Sequence, residues 1–265
     1  MAETGWLHLL TAALGGGVTV KALDIVYQEL RHRSERSRTA ERFVDEHLDP
    51  LLKAADELVG KLRSLAESDF RELHDIEPST NALESHDFSS LLYLFGRFWA
   101  QIEILRQEGL SVALSEDKRG KQLQNFLACL ESRRVRIVDR ISQRAVGEVM
   151  VERQDRHLNT IPFIEFVKAF ETDDATRRWV MPLVKVLSRT RHTHERQRLL
   201  QYGAVVHALI DTLDPGHVVT RKRPSYPNKL TRRTRRDLKY RVFGVYLAFV
   251  PNSVKYLGPP KKRRR

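Results

Sequence analysis

Elements typical of disulfide-rich, metal-binding and nucleotide-binding proteins are missing from this sequence of 265 residues. The single cysteine, Cys129, excludes an intramolecular disulfide, and its apolar neighbours indicate a buried thiol in a reducing compartment. With one cysteine and no His-Glu-x-x-His pattern there is no zinc-site spacing, so we predict no bound metal. Gly120 and Lys121 lack the upstream glycine and the following Ser or Thr of a phosphate-binding loop, so we predict no cofactor.

Strand signals are equally scarce, and helical periodicity fills most of the chain. Apolar residues recur at three- and four-residue steps over 43–65. We predict two helices there, with the break at Pro50, because Asp-Pro is typical of the first residues of a helix. Apolar residues surround almost the whole circumference of a predicted helix over 89–105, which marks this helix as central and buried.

Further helices are predicted over about 116–131, 134–156, 160–171, 175–190 and 193–213. The one strand-like run is 242–250, which is rich in β-branched and aromatic residues. We therefore predict an all-α multi-helix bundle with an apolar N-terminal helix and a basic C-terminal tail that contains one short strand-like segment. The predicted regions are an N-terminal helix at 1–30, a helical domain at 31–217 and the tail at 218–265.

Acidic residues are nearly absent from the C-terminal tail. From Thr220 to Arg265 there are 16 Lys and Arg against the single acid Asp237, a net charge of +15. The rest of the chain has 30 basic and 33 acidic residues, a net charge of −3, which completes the total of +12. The basic excess belongs to the tail, and this predicts that the tail, rather than the whole surface, meets an anionic partner.

That partner is either an anionic membrane surface or a nucleic acid, because clustered cations bind phosphates and aromatic rings can stack on bases or lie at a lipid interface. The other interpretation is a solvated tail with one strand docked on the acidic body. The predicted polyanion-binding residues are Arg221, Lys222, Arg223, Arg232, Arg233, Arg235, Arg236, Lys239, Arg241, Lys261, Lys262, Arg263, Arg264 and Arg265. The aromatic residues among them are Tyr226, Tyr240, Phe243, Tyr246, Phe249 and Tyr256.

The N-terminal segment 6–27 is apolar except for Lys21 and Asp24, which lie three residues apart and can pair on a helix. Its 22 residues are long enough to cross a bilayer if these two charges are tolerated. Four arginines follow within 31–38, so a spanning helix would leave the body in the cytoplasm. A helix lying in the interface, or one packed on a cytoplasmic body, are the alternatives.

Arg189 and His194 are separated by four residues. This spacing resembles that of the HEPN ribonucleases, although Thr190 departs from the residue usual after the arginine. The resemblance implies an alternative function in RNA cleavage and cell defence. His194 would then act as a general acid or base, and Arg189 would stabilise the charge on the phosphate. The other interpretation is a solvated, charged helix junction.

A second group of charged residues lies on helices that are otherwise apolar. Arg144 and Glu148 are four residues apart on one face, and Gly147 between them leaves room for a close helix crossing. Arg97 and Glu103 of the central helix need partners as well. We predict either a buried polar cluster of these four charged residues, which can form a ligand pocket, or an ordinary salt bridge beside a tight crossing.

Three stretches, 92–106, 143–148 and 199–215, resemble a family of uncharacterised bacterial helical proteins with an N-terminal membrane segment. The likeness covers roughly residues 6–215 and leaves out the tail. It implies the helical architecture with its membrane segment, and it implies no activity. With the arginines at 31–38, this predicts a location at the cell membrane with the body facing the cytoplasm. The sequence therefore predicts a membrane-associated interaction protein of unknown process, and it favours a binding function over an enzymatic one.

Overall fold

The structure is a computed structural model that describes residues 5–110, 112–154, 157–224 and 229–258. Side chains are described from Tyr27 onward, apart from those at 29, 30, 32, 33, 80, 81 and 154. Within these ranges the regular structure consists of eight α-helices, short 3-10 and π-helical turns and one two-stranded sheet. The predicted all-α class is confirmed.

The elements run in the following order. The helices are α1 (Gly5–Glu67), α2 (His86–Glu108), α3 (Lys118–Leu130), α4 (Arg140–Val149), α5 (Phe163–Thr172), α6 (Asp174–Leu187), α7 (Thr193–Leu213) and α8 (Arg232–Asp237). The strands β1 (Val151–Gln154) and β2 (His157–Thr160) form an antiparallel hairpin between α4 and α5. A π-helical turn (Leu238–Phe243) extends α8, and a 3-10 turn (Ser253–Leu257) follows.

Helix α1 continues through Pro50, so the predicted break there is wrong. A proline inside a helix costs about 3 kcal/mol, because it removes one backbone hydrogen bond and crowds the preceding turn. The apolar stripe on either side offsets this cost: Leu48, Leu51 and Leu52 are all buried, while Pro50 itself faces solvent. Burial of each such leucine is worth about 1.5–3 kcal/mol.

Helix α2 is the central element, as its all-round apolar pattern predicts. It packs against α1 and α4, and 13 of its residues are buried. Its N-terminus is capped by Ser85, whose hydroxyl accepts a hydrogen bond from the Phe88 amide. The buried Trp99 indole donates a hydrogen bond of 2.8 Å to the hydroxyl of Tyr202, which links α2 to α7.

The predicted helix over 134–156 is wrong at both ends. Asp139 accepts hydrogen bonds from the amides of Ile141 and Ser142, so α4 begins at Arg140 rather than at 134. At its other end the chain turns at Met150 into the β1–β2 hairpin. The amide of Ile161 donates back to the Met150 carbonyl, which closes the hairpin.

Residues 229–258 pack into the same hydrophobic core as the helices. The predicted strand at 242–250 is wrong: the segment forms the end of the π-helical turn followed by further turns. Its buried residues, Val242, Phe243, Leu247 and Val250, recur at helical rather than alternating steps. Farther along, the Tyr256 hydroxyl donates a 2.9 Å hydrogen bond to Asp211 of α7.

Two sequence predictions fall on residues that lie outside the described set. In the candidate membrane segment 6–27 only the Tyr27 side chain is described. The basic cluster 261–265 lies outside the described residues entirely. In the part of the chain that is described, no helix is long and apolar enough to cross a membrane.

Candidate polyanion-binding site

A concave cleft with a volume of about 580 Å³ opens where three parts of the chain meet. Segment 133–136 between α3 and α4 forms one wall and residues 231–242 form another, and the first turns of α7 make hydrogen bonds to both. We call this cavity the arginine cleft. Its charged lining residues are Arg133, Arg134, Arg136, Arg198, Arg233, Arg241 and the single acid Asp237, with His194 at the N-terminal end of α7.

Helix α7 holds both walls of the arginine cleft in place. Gln201 donates a hydrogen bond of 2.9 Å to the Arg134 carbonyl, and Arg198 donates one of 3.2 Å to the Arg136 carbonyl. On the other side, Gln197 donates to the Lys229 carbonyl at 3.0 Å and accepts from the Thr231 amide at 2.7 Å. Polar side chains one turn apart on α7 thus fix the backbones that carry the cleft arginines.

Few of the cleft arginines are neutralised. Arg241 lies 3.5 Å from Asp237, and Arg198 donates to Glu195 at 2.8 Å. Among the described residues, no carboxylate lies within ion-pair distance of Arg133, Arg134 or Arg233, and all three side chains are exposed. These three cations, which we call the free arginines, are available to an anion from solution.

Two further features fit an anion rather than an apolar small molecule. Small-molecule pockets are lined mainly by hydrophobic and aromatic side chains, whereas the only aliphatic residues of the arginine cleft are Val135 and Val242. The N-terminus of α7, a helix of 21 residues, opens into the cleft through Thr193 and His194. Its macrodipole adds positive potential there.

The structure divides the predicted polyanion-binding residues of the tail into different environments. Arg223 forms a bidentate ion pair with the buried Asp56 of α1, with Nε–Oδ1 and Nη2–Oδ2 distances of 2.8 and 2.9 Å. Arg221, Lys222, Arg232, Arg236 and Lys239 are exposed, and Arg235 is half-buried. Of the predicted residues that the structure describes, Arg233 and Arg241 line the arginine cleft.

The predicted polar cluster is brought together only in part, and its centre is a residue absent from the prediction. Glu131 receives hydrogen bonds from Arg106 and Arg144, and Arg140 lies 3.1 Å from its second oxygen. Arg106 also bonds Glu103. We call this group the Glu131 cluster.

The other two members of the predicted cluster lie apart from Glu131. Arg97 pairs with Glu57 of α1, and Glu148 is exposed. The close helix crossing predicted at Gly147 is confirmed, because a Cβ atom there would lie 2.8 Å from both the Trp99 carbonyl oxygen and the Glu103 Cγ.

The carboxylates of the Glu131 cluster have opposite pKa shifts. Burial alone would raise the pKa of Glu131, but hydrogen bonds from Arg144 and the charge of Arg106 bring it below the usual value. Burial raises the pKa of Glu103, and its arginine neighbours offset this only in part. Glu131 is therefore the carboxylate that the surrounding arginines hold ionised.

Arg189 and His194 of the HEPN-like spacing are not both part of the cleft. His194 lines it, with 79% of its side chain exposed and Nδ1 3.3 Å from a Glu195 carboxylate oxygen. Arg189 is exposed just beyond the end of α6 and is not among the lining residues. His194 thus lines the cleft without the arginine that the resemblance pairs with it.

Sequence reasoning missed the free arginines Arg133 and Arg134. It also missed Gln197 and Gln201 of α7, which hydrogen-bond the backbone of the cleft walls. The run Arg133-Arg134-Val135-Arg136 was a usable signal, because it places three cations in four residues at the junction of the helices predicted over 116–131 and 134–156. Its meeting with residues 231–242 depends on tertiary contacts that no local pattern encodes.

No metal site competes with this assignment in the described part of the chain, where no group of three or more His, Cys, Asp or Glu could hold an ion. Comparison with known protein families, curated proteins and solved structures finds no match to this chain. The resemblance to membrane-anchored bacterial helical proteins therefore stays a prediction.

Proposed function

We propose that this protein binds a phosphate-rich polyanion in the arginine cleft and acts as a binding protein rather than an enzyme. The observation that carries the proposal is the group of free arginines, Arg133, Arg134 and Arg233, contributed by two separate segments to one concave surface. Like charges brought together without counter-charges repel one another, so their convergence is stabilised when an anion binds.

The shape of the cleft favours an extended phosphate chain over a membrane. Its arginines come from both walls and from α7. A chain of phosphates can enter such a cleft and contact both walls, whereas the headgroups of a flat bilayer meet mainly the rim. Binding of this kind releases counterions and is steeply dependent on salt.

The test measures fluorescence anisotropy of a labelled thymidine 15-mer, with inorganic polyphosphate as competitor. The triple variant Arg133→Ser, Arg134→Ser, Arg233→Ser should lower affinity at least ~30-fold at 50 mM salt and reduce the salt slope by about 2, at about 0.7 per phosphate contact. The matched control replaces Lys168, Arg178 and Lys185, three exposed cations of α5 and α6, with serine. An equal loss of affinity in both triple variants would sink the proposal.

Membrane attachment is a separate part of the proposal and is supported by the sequence of residues 6–27. The full chain should sediment with membranes and need detergent for release, while a chain that begins at Arg31 should stay in the supernatant. Full-length protein found wholly in the supernatant at low and high salt would contradict attachment and leave the cleft proposal untouched.

A further inference from the structure

Two tyrosines of the C-terminal segment remain exposed beside the arginine cleft. Tyr240 is 60% exposed and Tyr246 39% exposed. Other aromatic residues of this segment are committed to packing: Phe243 and Tyr256 are buried and stack on each other at 5.6 Å, and Phe249 is half-buried. Of the aromatic residues described here, these two alone offer an accessible ring close to the cleft.

Both tyrosines are adjacent in the chain to residues that line the cleft. Tyr240 immediately precedes Arg241 on the π-helical turn, so their Cα atoms are about 3.8 Å apart. The amide of Tyr246 donates a hydrogen bond of 2.9 Å to the carbonyl of Val242, another lining residue. Both tyrosines therefore belong to the segment whose residues line the cleft.

The environment of Tyr240 suits a ring that takes part in binding. Lys239 Nζ lies 5.0 Å from the ring centroid, which places a cation beside the aromatic face. Within the described residues neither phenol group of the two tyrosines makes a hydrogen bond, and the Tyr240 ring is the more exposed of the two. The arginine cleft itself is lined by no Phe, Tyr or Trp.

We infer that the polyanion bound by the arginine cleft is a single-stranded nucleic acid, whose phosphates contact the arginines and whose bases stack on Tyr240 and Tyr246. This inference rests on the proposed function. A duplex already stacks its bases internally, and inorganic polyphosphate has no ring to stack, so neither uses these side chains. An unpaired strand can place its phosphates on the arginines and its bases on the tyrosines. Binding of this kind shows little preference for sequence.

The experiment compares two strands of equal charge: a labelled thymidine 15-mer and a 15-mer of abasic deoxyribose phosphate. The parent protein should bind the thymidine strand about 10-fold more tightly than the abasic strand. Tyr240→Ala and Tyr246→Ala should each reduce this preference to about threefold and leave the affinity for the abasic strand within twofold. The matched control is Tyr27→Ala, which removes a ring that is 65% exposed on α1. It should change neither affinity.

The outcomes separate this inference from the proposed function. Equal affinity for the two strands, unchanged by the tyrosine substitutions, would overturn the inference and leave polyanion binding intact. No binding of either strand, or of inorganic polyphosphate, would overturn both. Binding to vesicles of phosphatidylglycerol that Tyr240→Ala weakens, without any preference for bases, would assign the tyrosines to a lipid surface and also overturn the inference.

Discussion

Two groups of arginines lie close to one another, one around Glu131 and one in segment 133–136, and they differ in whether a carboxylate neutralises them. Before α4, Glu131 gathers three guanidinium groups, and its side chain is only 9% exposed. Two residues farther along, Arg133 and Arg134 are exposed on the wall of the arginine cleft, with no carboxylate partner in the described structure. The same residue type thus performs two tasks within a few positions.

Arginine content alone therefore does not locate a binding surface, whereas the absence of a carboxylate partner does. A guanidinium that already bonds a buried carboxylate has little left to offer a phosphate, and its removal leaves the carboxylate without compensation. A guanidinium without such a partner contributes little to folding and is available to a ligand. Substitutions in the two groups should therefore affect different measurements.

The largest effect is expected from Arg223→Ala, at a paired arginine in the basic tail. Loss of the bidentate bonds leaves Asp56 buried and unpaired, so the free energy of unfolding should fall by about 3 kcal/mol. Urea denaturation followed by circular dichroism measures this change. Affinity for the thymidine 15-mer, measured where the variant is folded, should stay within twofold of the parent. A stable variant with weakened binding would mean that Arg223 belongs with the free arginines.

The next effect is expected from Glu131→Gln, which neutralises the centre of the Glu131 cluster. Glutamine keeps one oxygen acceptor, but three arginines lose their shared counter-charge, so stability should fall by about 2 kcal/mol. Denaturation at pH 7 measures the loss. It should shrink as pH falls below about 4.5, because protonation removes the negative charge from the parent as well. A loss that is the same at pH 7 and pH 4 would show that the charge is not what stabilises the cluster.

Much of the helical fold could be predicted from the sequence because each helix carries its own local signals. The bounds predicted for α7, 193–213, coincide with those observed, since its apolar periodicity ends at an Asp-Pro-Gly stop. The predictions failed where burial overrides local preference. Pro50 signals a helix start, yet the core on both sides keeps α1 continuous. The aromatic run at 242–250 has strand-like composition, yet its apolar residues reach the core from turns.

The candidate site was less predictable, because its parts are far apart in the chain. A charge count locates cations in the tail but gives no indication of which of them meet an acid. Arg223 pairs with Asp56, 167 residues away, and Arg233 lines the same cleft as Arg134 although the two are far apart in the chain. Both arrangements depend on tertiary structure, and no local spacing of residues predicts them.

A smaller effect is expected when a second acid is added to the lining of the arginine cleft, where Asp237 is the one acid present. Thr193→Glu places an acid on the first turn of α7, where the helix macrodipole favours negative charge, facing the free arginines. Affinity for the thymidine 15-mer should fall about 10-fold, equivalent to about 1.4 kcal/mol. Stability should stay the same or rise by a few tenths of a kcal/mol. The control Ser115→Glu adds the same charge at an exposed site outside the cleft and should leave affinity unchanged.

The smallest effect on stability is expected from the double variant Arg133→Ser, Arg134→Ser. Both side chains are exposed and without a carboxylate partner, and the hydrogen bond from Gln201 to residue 134 is accepted by its backbone carbonyl, which the substitution retains. The free energy of unfolding should therefore change by less than about 0.5 kcal/mol, in the direction of greater stability, because repulsion within the cleft is relieved. Urea midpoints at low salt measure the change.

The matched comparison for this double variant is Arg144→Ser, which removes two hydrogen bonds to Glu131. It should cost about 1.5 kcal/mol, although it removes one charge rather than two. If the double variant instead loses more than about 1 kcal/mol, Arg133 and Arg134 stabilise the fold. The distinction between paired and free arginines would then give no reason to assign a ligand to the cleft.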